Sequence, residues 1–177
     1  MKAKTLILCV GMLIAGFSAQ CALASEQGTG RIEKKVAHEL NMLPYGNVFD
    51  YMTFTVSDNG TVTLNGEVTQ PYVKSAAGKA AKDVEGVERV DNQIKVLPIS
   101  FFDARLRAQL YRSIYGYPVL QRYGVGVNAP IRIIVENGHV TLIGFVDNPS
   151  DKIIAGMQAN SVPGIFSVDN QLKVVKG

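Results

Sequence analysis

Eight residues occur twice in this chain almost unchanged, VDNQIKVL at 90–97 and VDNQLKVV at 168–175, 78 positions apart. Extended backwards without a gap, residues 59–96 lie over residues 137–174, and 20 of those 38 positions are identical. A match of that length is a duplicated unit, because one shared turn repeats only a few residues. The chain must therefore fold as two similar bodies of about 70 residues each, close to the lower limit for a core that stands alone.

The first 24 residues stand outside the repeat. Lys2 and Lys4 precede an apolar stretch from Leu6 to Phe17, and Ala22-Leu23-Ala24 supplies the small residues of a signal-peptidase site. This is the pattern of an export signal, too short in its apolar part to span a bilayer as a helix. The expected division is a signal peptide at 1–24, a first domain at 25–98 and a second at 99–177, with a periplasmic product. A lipid-anchored form through Cys21 is the lesser alternative, since Gln20 replaces the small residue that acylation favours before the cysteine. Cleavage after Ala24 removes Cys9 and Cys21, the only cysteines, leaving no disulfide or thiol chemistry.

Each unit reads in one order. Ile32, Val36, Leu40 and Leu43 follow a helical period, as do Phe102, Leu106, Leu110 and Ile114 in the second copy. Extended stretches, YMTFTV and IRIIV, lead into Asn59-Gly60 and Asn137-Gly138, the strongest short hairpin signal. Returning strands, VTLNGEV and VTLIGFV, precede Pro71 and Pro149 at first-turn helix positions. The second helix of the first copy places Val73, Ala77, Ala80 and Val84 on one face, and Gly86 and Gly164 follow the second helices as stop signals. The repeated octapeptide supplies the last strand, with Asn92 and Asn170 expected to satisfy backbone groups.

The order helix-strand-strand-helix-strand, written twice with VTLNGEV, a Gly-Val or Gly-Ile after the second helix, and VDNQIKV, resembles the BON family over about residues 31–176. The resemblance implies an α+β fold: two BON domains in tandem, each with its helices on one face of a three-stranded mixed sheet. It also implies an envelope role in phospholipid-surface binding, osmotic or other stress protection, or chaperoning of unfolded clients, with no enzyme activity and no cofactor.

The residues themselves offer little chemistry. His38 and His139, the two histidines, do not correspond between the copies and have no acidic run beside them. GVGVN at 124–128 lacks the lysine and the following helix of a phosphate loop. Charge is more informative. Residues 25–100 carry 8 basic and 10 acidic side chains, residues 101–177 carry 8 and 5, so the first domain is net −2 and the second +3. Export argues against a nucleic-acid partner and for an anionic phospholipid surface. On the helix FFDARLRAQLYRSIYGY, Arg112, Tyr111 and Tyr115 are expected to point outward with Arg105 and Arg107 on the flanks. Outward tyrosine beside arginine suits a headgroup layer, and the alternative is that these tyrosines pack on the first domain or its loops.

A second divergence concerns the sheet. Alternation from Val62, Leu64 and Val68 puts Thr53, Thr55, Asn65 and Glu67 on the outer face. At the gap-free offset these become Ile131, Ile133, Ile143 and Phe145, which would make the outer face of the second sheet apolar and an interface. The first domain or a second copy of the chain is its expected cover.

Overall fold

The computed structural model describes residues 17–43, 47–125 and 129–175. The first domain runs α1 (Phe17–Asn41), β1 (Tyr51–Val56), β2 (Thr61–Val68), α2 (Pro71–Lys82), β3 (Arg89–Asn92) and β4 (Lys95–Val96). The second repeats the order as α3 (Phe101–Tyr115), a 3-10 turn (Gln121–Gly124), β5 (Ile131–Glu136), β6 (His139–Val146), α4 (Pro149–Asn160), β7 (Ser167–Asn170) and β8 (Lys173–Val174). In each sheet the hairpin is antiparallel, and the last two short strands both run parallel to its second member. Each domain is thus a three-stranded mixed sheet whose third strand is interrupted once. Its helices share one face, because α1 and α2 pack Val36, Val73, Ala77 and Ala81 against Val62, Leu64, Val68 and Ile94.

The octapeptide explains that interruption. Asn92 Nδ2 donates to the Lys74 carbonyl of α2 while its Oδ1 accepts from Ile94 N, and Asn170 does the same with Lys152 and Leu172. The side chain substitutes for ladder bonds at the break and turns Ile94 and Leu172 into the cores, where both are buried. Gly78 and Gly156 make room for it, since a Cβ on either would press on the asparagine amide.

Helix α1 begins at Phe17, so Cys21 and the alanines of the expected cleavage site lie within its backbone span. Two expectations change. On α2, Ala81 rather than Ala80 completes the buried face with Val73 and Ala77. The largest correction concerns the second hairpin. The first closes through Asp58, Asn59 and Gly60, with Ser57 N bonded to the Thr61 carbonyl and Val56 opposite Val62. The second closes through Asn137 and Gly138 alone, both at positive φ (51° and 80°), with Glu136 opposite His139. That is the two-residue primed turn Asn-Gly favours, and it shortens the loop by one residue. Strand β5 therefore slips one position against the gap-free alignment, and a slip of one exchanges the faces of a strand.

Ile131 and Ile133 accordingly belong to the core: both are fully buried, and Ile133 opposes Leu142 as Phe54 opposes Leu64. The true counterparts of Thr53 and Thr55 are Arg132 and Ile134. Of the four residues assigned to the outer face, Ile143 and Phe145 remain there, half-buried and 52 % exposed respectively.

The turn is held from the helix layer. Ser100 caps α3 by accepting from Asp103 N, and the buried Asp103 carboxylate accepts from Asn137 N (3.0 Å) and Gly138 N (2.9 Å). Replacing Asp103 with Ala strands both amides, and charge-assisted bonds of this kind contribute about 1.5–3 kcal/mol each before relaxation. Urea unfolding of Asp103→Ala is expected to show a loss of about 3 kcal/mol; a loss under 1 kcal/mol would mean that water replaces the carboxylate.

Candidate functional site

Helix α3 is where the charge of the second domain and its exposed apolar surface meet. Leu106, Leu110 and Ile114 are buried, fixing the helix against the sheet. On the opposite side Phe101, Arg105 and Arg112 are exposed, four and seven residues apart, so they share one helical face. Phe101 is 94 % exposed and Ile99, just before the helix, 96 %. Phe102, expected inward, is 38 % exposed; it packs on the Phe166 ring and lies beneath the Arg105 guanidinium. Among the described residues neither Arg105 nor Arg112 has a carboxylate within ion-pair distance.

The other two members of the expected set are engaged elsewhere. Arg107 is half-buried, donates through Nη2 to the Val135 carbonyl at 2.6 Å, and burial lowers its pKa against the opposing pull of Asp103 and Asp50. Tyr115 is buried, its hydroxyl donates to the Ile131 carbonyl, and burial pushes its pKa up. The helical period points Tyr115 outward because it fixes angles about the axis and carries nothing of the chain crossing the helix end. Strand β5 begins there and closes over the ring. Tyr111 stays exposed at 42 % but touches both Tyr115, at 5.0 Å between centroids, and Phe49 of the first domain, edge-on at 6.4 Å.

Sequence reasoning missed the element that brings Phe49 there. Residues 47–49 run along the free edge of β5: Ile133 N donates to the Val48 carbonyl at 2.8 Å and Arg132 Nη1 to the Asn47 carbonyl at 2.8 Å. Val48 and Phe49 pack against the second domain's core. Lys95 adds a bridge to Glu136 at 2.6 Å, which raises the lysine pKa. The first domain therefore covers the edge of the second sheet, while Phe145 lines a groove of about 340 Å³ facing Leu40, Met52 and Phe54. An edge strand left bare invites foreign pairing, so covering β5 protects the monomer. No local pattern marks 47–49 as a cover, because its partner lies more than 80 residues away.

A second buried network fixes the far end of the domain. Tyr123 and Arg122 both bond the Asp151 carboxylate at the start of α4, Asn148 Nδ2 adds a third donor at 3.0 Å, and Asp147 N donates to the Tyr123 hydroxyl at 2.9 Å. All three donors converge on Asp151 Oδ2, which ties the turn to the helix. His139 bonds Ser167 and lies beside the Phe166 ring. Among the described residues no group of three or more His, Cys, Asp or Glu gathers as metal ligands.

Comparison with known proteins agrees with this architecture. An outer membrane lipoprotein of Haemophilus influenzae, DolP, is 28 % identical over 180 residues, covering 95 % of this chain and 88 % of the relative. CdsD, a structural protein of the type III secretion system of Chlamydia trachomatis, aligns over 83 % of this chain and 93 % of its own at 12 % identity, with a TM-score of only 0.31. The BON domain model matches twice, at residues 29–98 and 103–176. With two copies of the fold and two matches covering most of its length, the chain belongs to the BON-domain family.

Proposed function

We propose that this is an exported, non-enzymatic protein of the bacterial envelope that binds anionic phospholipid surfaces through the outward face of α3. The observation that carries the reading is the exposure of Ile99 and Phe101 at the head of a helix whose same face presents Arg105 and Arg112 without acidic partners among the described residues. Apolar side chains enter the headgroup boundary while guanidinium groups meet phosphates above it. Arg107 and Tyr115 drop out of the contact set, because burial has already engaged them. Tyr111 sits at its margin. The relative's description as an outer membrane lipoprotein supports an envelope setting and favours acylation at Cys21 over cleavage after Ala24. The mass of the mature amino terminus separates the two products.

The test is co-sedimentation with phosphatidylglycerol vesicles and with phosphatidylcholine vesicles at several salt concentrations. Each basic residue near an anionic surface contributes about 1 kcal/mol, so Arg105→Gln with Arg112→Gln is expected to weaken binding about 30-fold at low salt. Phe101→Ser should weaken it further at every salt concentration. Equal binding to neutral vesicles, or no loss in the double variant, would sink the proposal. A second reading, the holding of unfolded clients under stress, draws on Ile153 and Met157, 62 % and 65 % exposed one turn apart on α4. Suppression of client aggregation without lipid is its readout.

A further inference from the structure

We propose that the cleft at the seam of the two domains binds a single-chain amphipathic anion, an acidic head joined to one hydrocarbon tail. The cleft has a volume of about 470 Å³ and is lined by Val48 and Phe49 of the first domain and by Ala108, Tyr111, Arg112 and Tyr115 of α3. That volume falls within the range of about 300–1,000 Å³ typical of small-molecule sites. Neither domain makes the cleft alone. The bonds from Ile133 to Val48 and from Arg132 to Asn47 bring the 47–49 segment beside α3 and so build one wall.

The chemistry of the walls selects the ligand. Phe49, Tyr111 and Tyr115 stand in successive ring contact, 6.4 Å and 5.0 Å between centroids, and present hydrocarbon surface. The Tyr115 hydroxyl is spent on the Ile131 carbonyl, so its ring offers the cleft no polar group in need of a partner. Val48 and Ala108 extend the apolar lining. Arg112 is the charged side chain of the lining, exposed and without a carboxylate partner among the described residues. The acid on the same helix, Asp103, is buried and committed to the Asn137 and Gly138 amides. An unopposed guanidinium beside an aromatic cleft pairs with a phosphate or carboxylate whose tail lies along the rings. A cationic ligand has no counter-charge here, and a purely apolar one leaves Arg112 unused. The site shares Arg112 with the surface reading but needs no bilayer, because an open cleft of this volume takes one chain at a time.

The probes are alkyl phosphates from hexyl to dodecyl, kept below their micelle concentrations and titrated calorimetrically into the full mature chain. Inorganic phosphate, the matching alcohols and the matching carboxylates are the comparison arms. Affinity is expected to rise about fourfold per methylene while the tail is being buried, then to level off when the tail outgrows the cleft. Ala108→Phe, which fills the cleft from a solvent-facing helix position, should weaken octyl phosphate at least tenfold, and Ala108→Leu less. Arg112→Gln should weaken octyl phosphate about tenfold and leave octanol unchanged. Tighter binding of the phosphate series than of the carboxylates assigns the head to a phosphate monoester, and the reverse assigns it to a fatty acid. Inorganic phosphate binding as tightly as octyl phosphate, a series flat in chain length, or an unchanged affinity in a folded Ala108→Phe protein overturns the proposal. Phe101→Ser separates this result from the surface reading, since it is expected to lose vesicles and keep octyl phosphate.

Discussion

Ile133→Ala is expected to cost the second domain about 2–5 kcal/mol, while Phe145→Glu costs less than about 1 kcal/mol. Both residues were assigned to one outer sheet face by the gap-free repeat, and on that assignment the two substitutions should behave alike. The structure separates them. Ile133 is fully buried opposite Leu142, within a cluster that also holds Leu106, Leu110 and Val135, and its truncation leaves a cavity in a core of one small domain. Phe145 is 52 % exposed and borders an open groove, so a carboxylate there keeps most of its hydration. Thermal melts and urea titrations of the two variants read the difference directly. Equal destabilisation would show that β5 pairs one residue away from the register described above, with Ile133 facing outward.

Gly144→Ala and Gly66→Ala are expected to destabilise their domains by at least about 3 kcal/mol and to prevent accumulation of folded protein at 37 °C. Gly66 lies at φ 130° and Gly144 at φ 125°, a region that costs a residue with a side chain about 1–3 kcal/mol in backbone strain alone. A Cβ on Gly66 would overlap the Tyr51 carbonyl oxygen, and one on Gly144 the Pro130 carbonyl oxygen. Both obstacles are backbone, fixed by hairpin pairing, so no side-chain rotation relieves them. Gly30→Ala is the matching control: it lies in α1 with no atom within 4 Å of the added Cβ, and helix propensity favours alanine there by up to about 1 kcal/mol. Circular dichroism melts of the three variants should order them with Gly30→Ala at or above the parent. If Gly144→Ala melts with the parent, the strand must be able to change its pairing locally, and the close approach is not obligatory.

These glycines also show how far a single sequence reaches. The repeat, the order of elements, the two proline-headed helices and the role of Asn92 and Asn170 were all legible. Each is set within one unit, by alternation along a strand, by the helical period or by turn chemistry a few residues long. Face assignment along β2 and β6 was legible for the same reason, since Val62, Leu64, Val140 and Leu142 alternate without interruption.

What the alignment concealed was a difference of one residue in loop length. Ser57-Asp58-Asn59-Gly60 and Val135-Glu136-Asn137-Gly138 align without a gap, yet Asp58 joins the turn while Glu136 remains in the ladder opposite His139. The alternation of apolar residues in IRIIV is itself ambiguous, with isoleucine or valine on both faces, so only pairing with β6 decides which set is inside. Tyr115 went inward for a related reason: the periodicity of α3 fixes angles about its axis, and the strand that covers its last turn arrives from 16 residues further on. The seam between the domains lay furthest from the sequence. Residues 47–49 carry no helical or strand period, and their value is the unpaired edge of β5 that they complete. Local chemistry thus determined the two domains and their shared plan. Tertiary contact decided the register and the burial of Tyr115 and Arg107, which depend on segments that meet within the folded second domain, and the cleft, which exists only where the two domains meet.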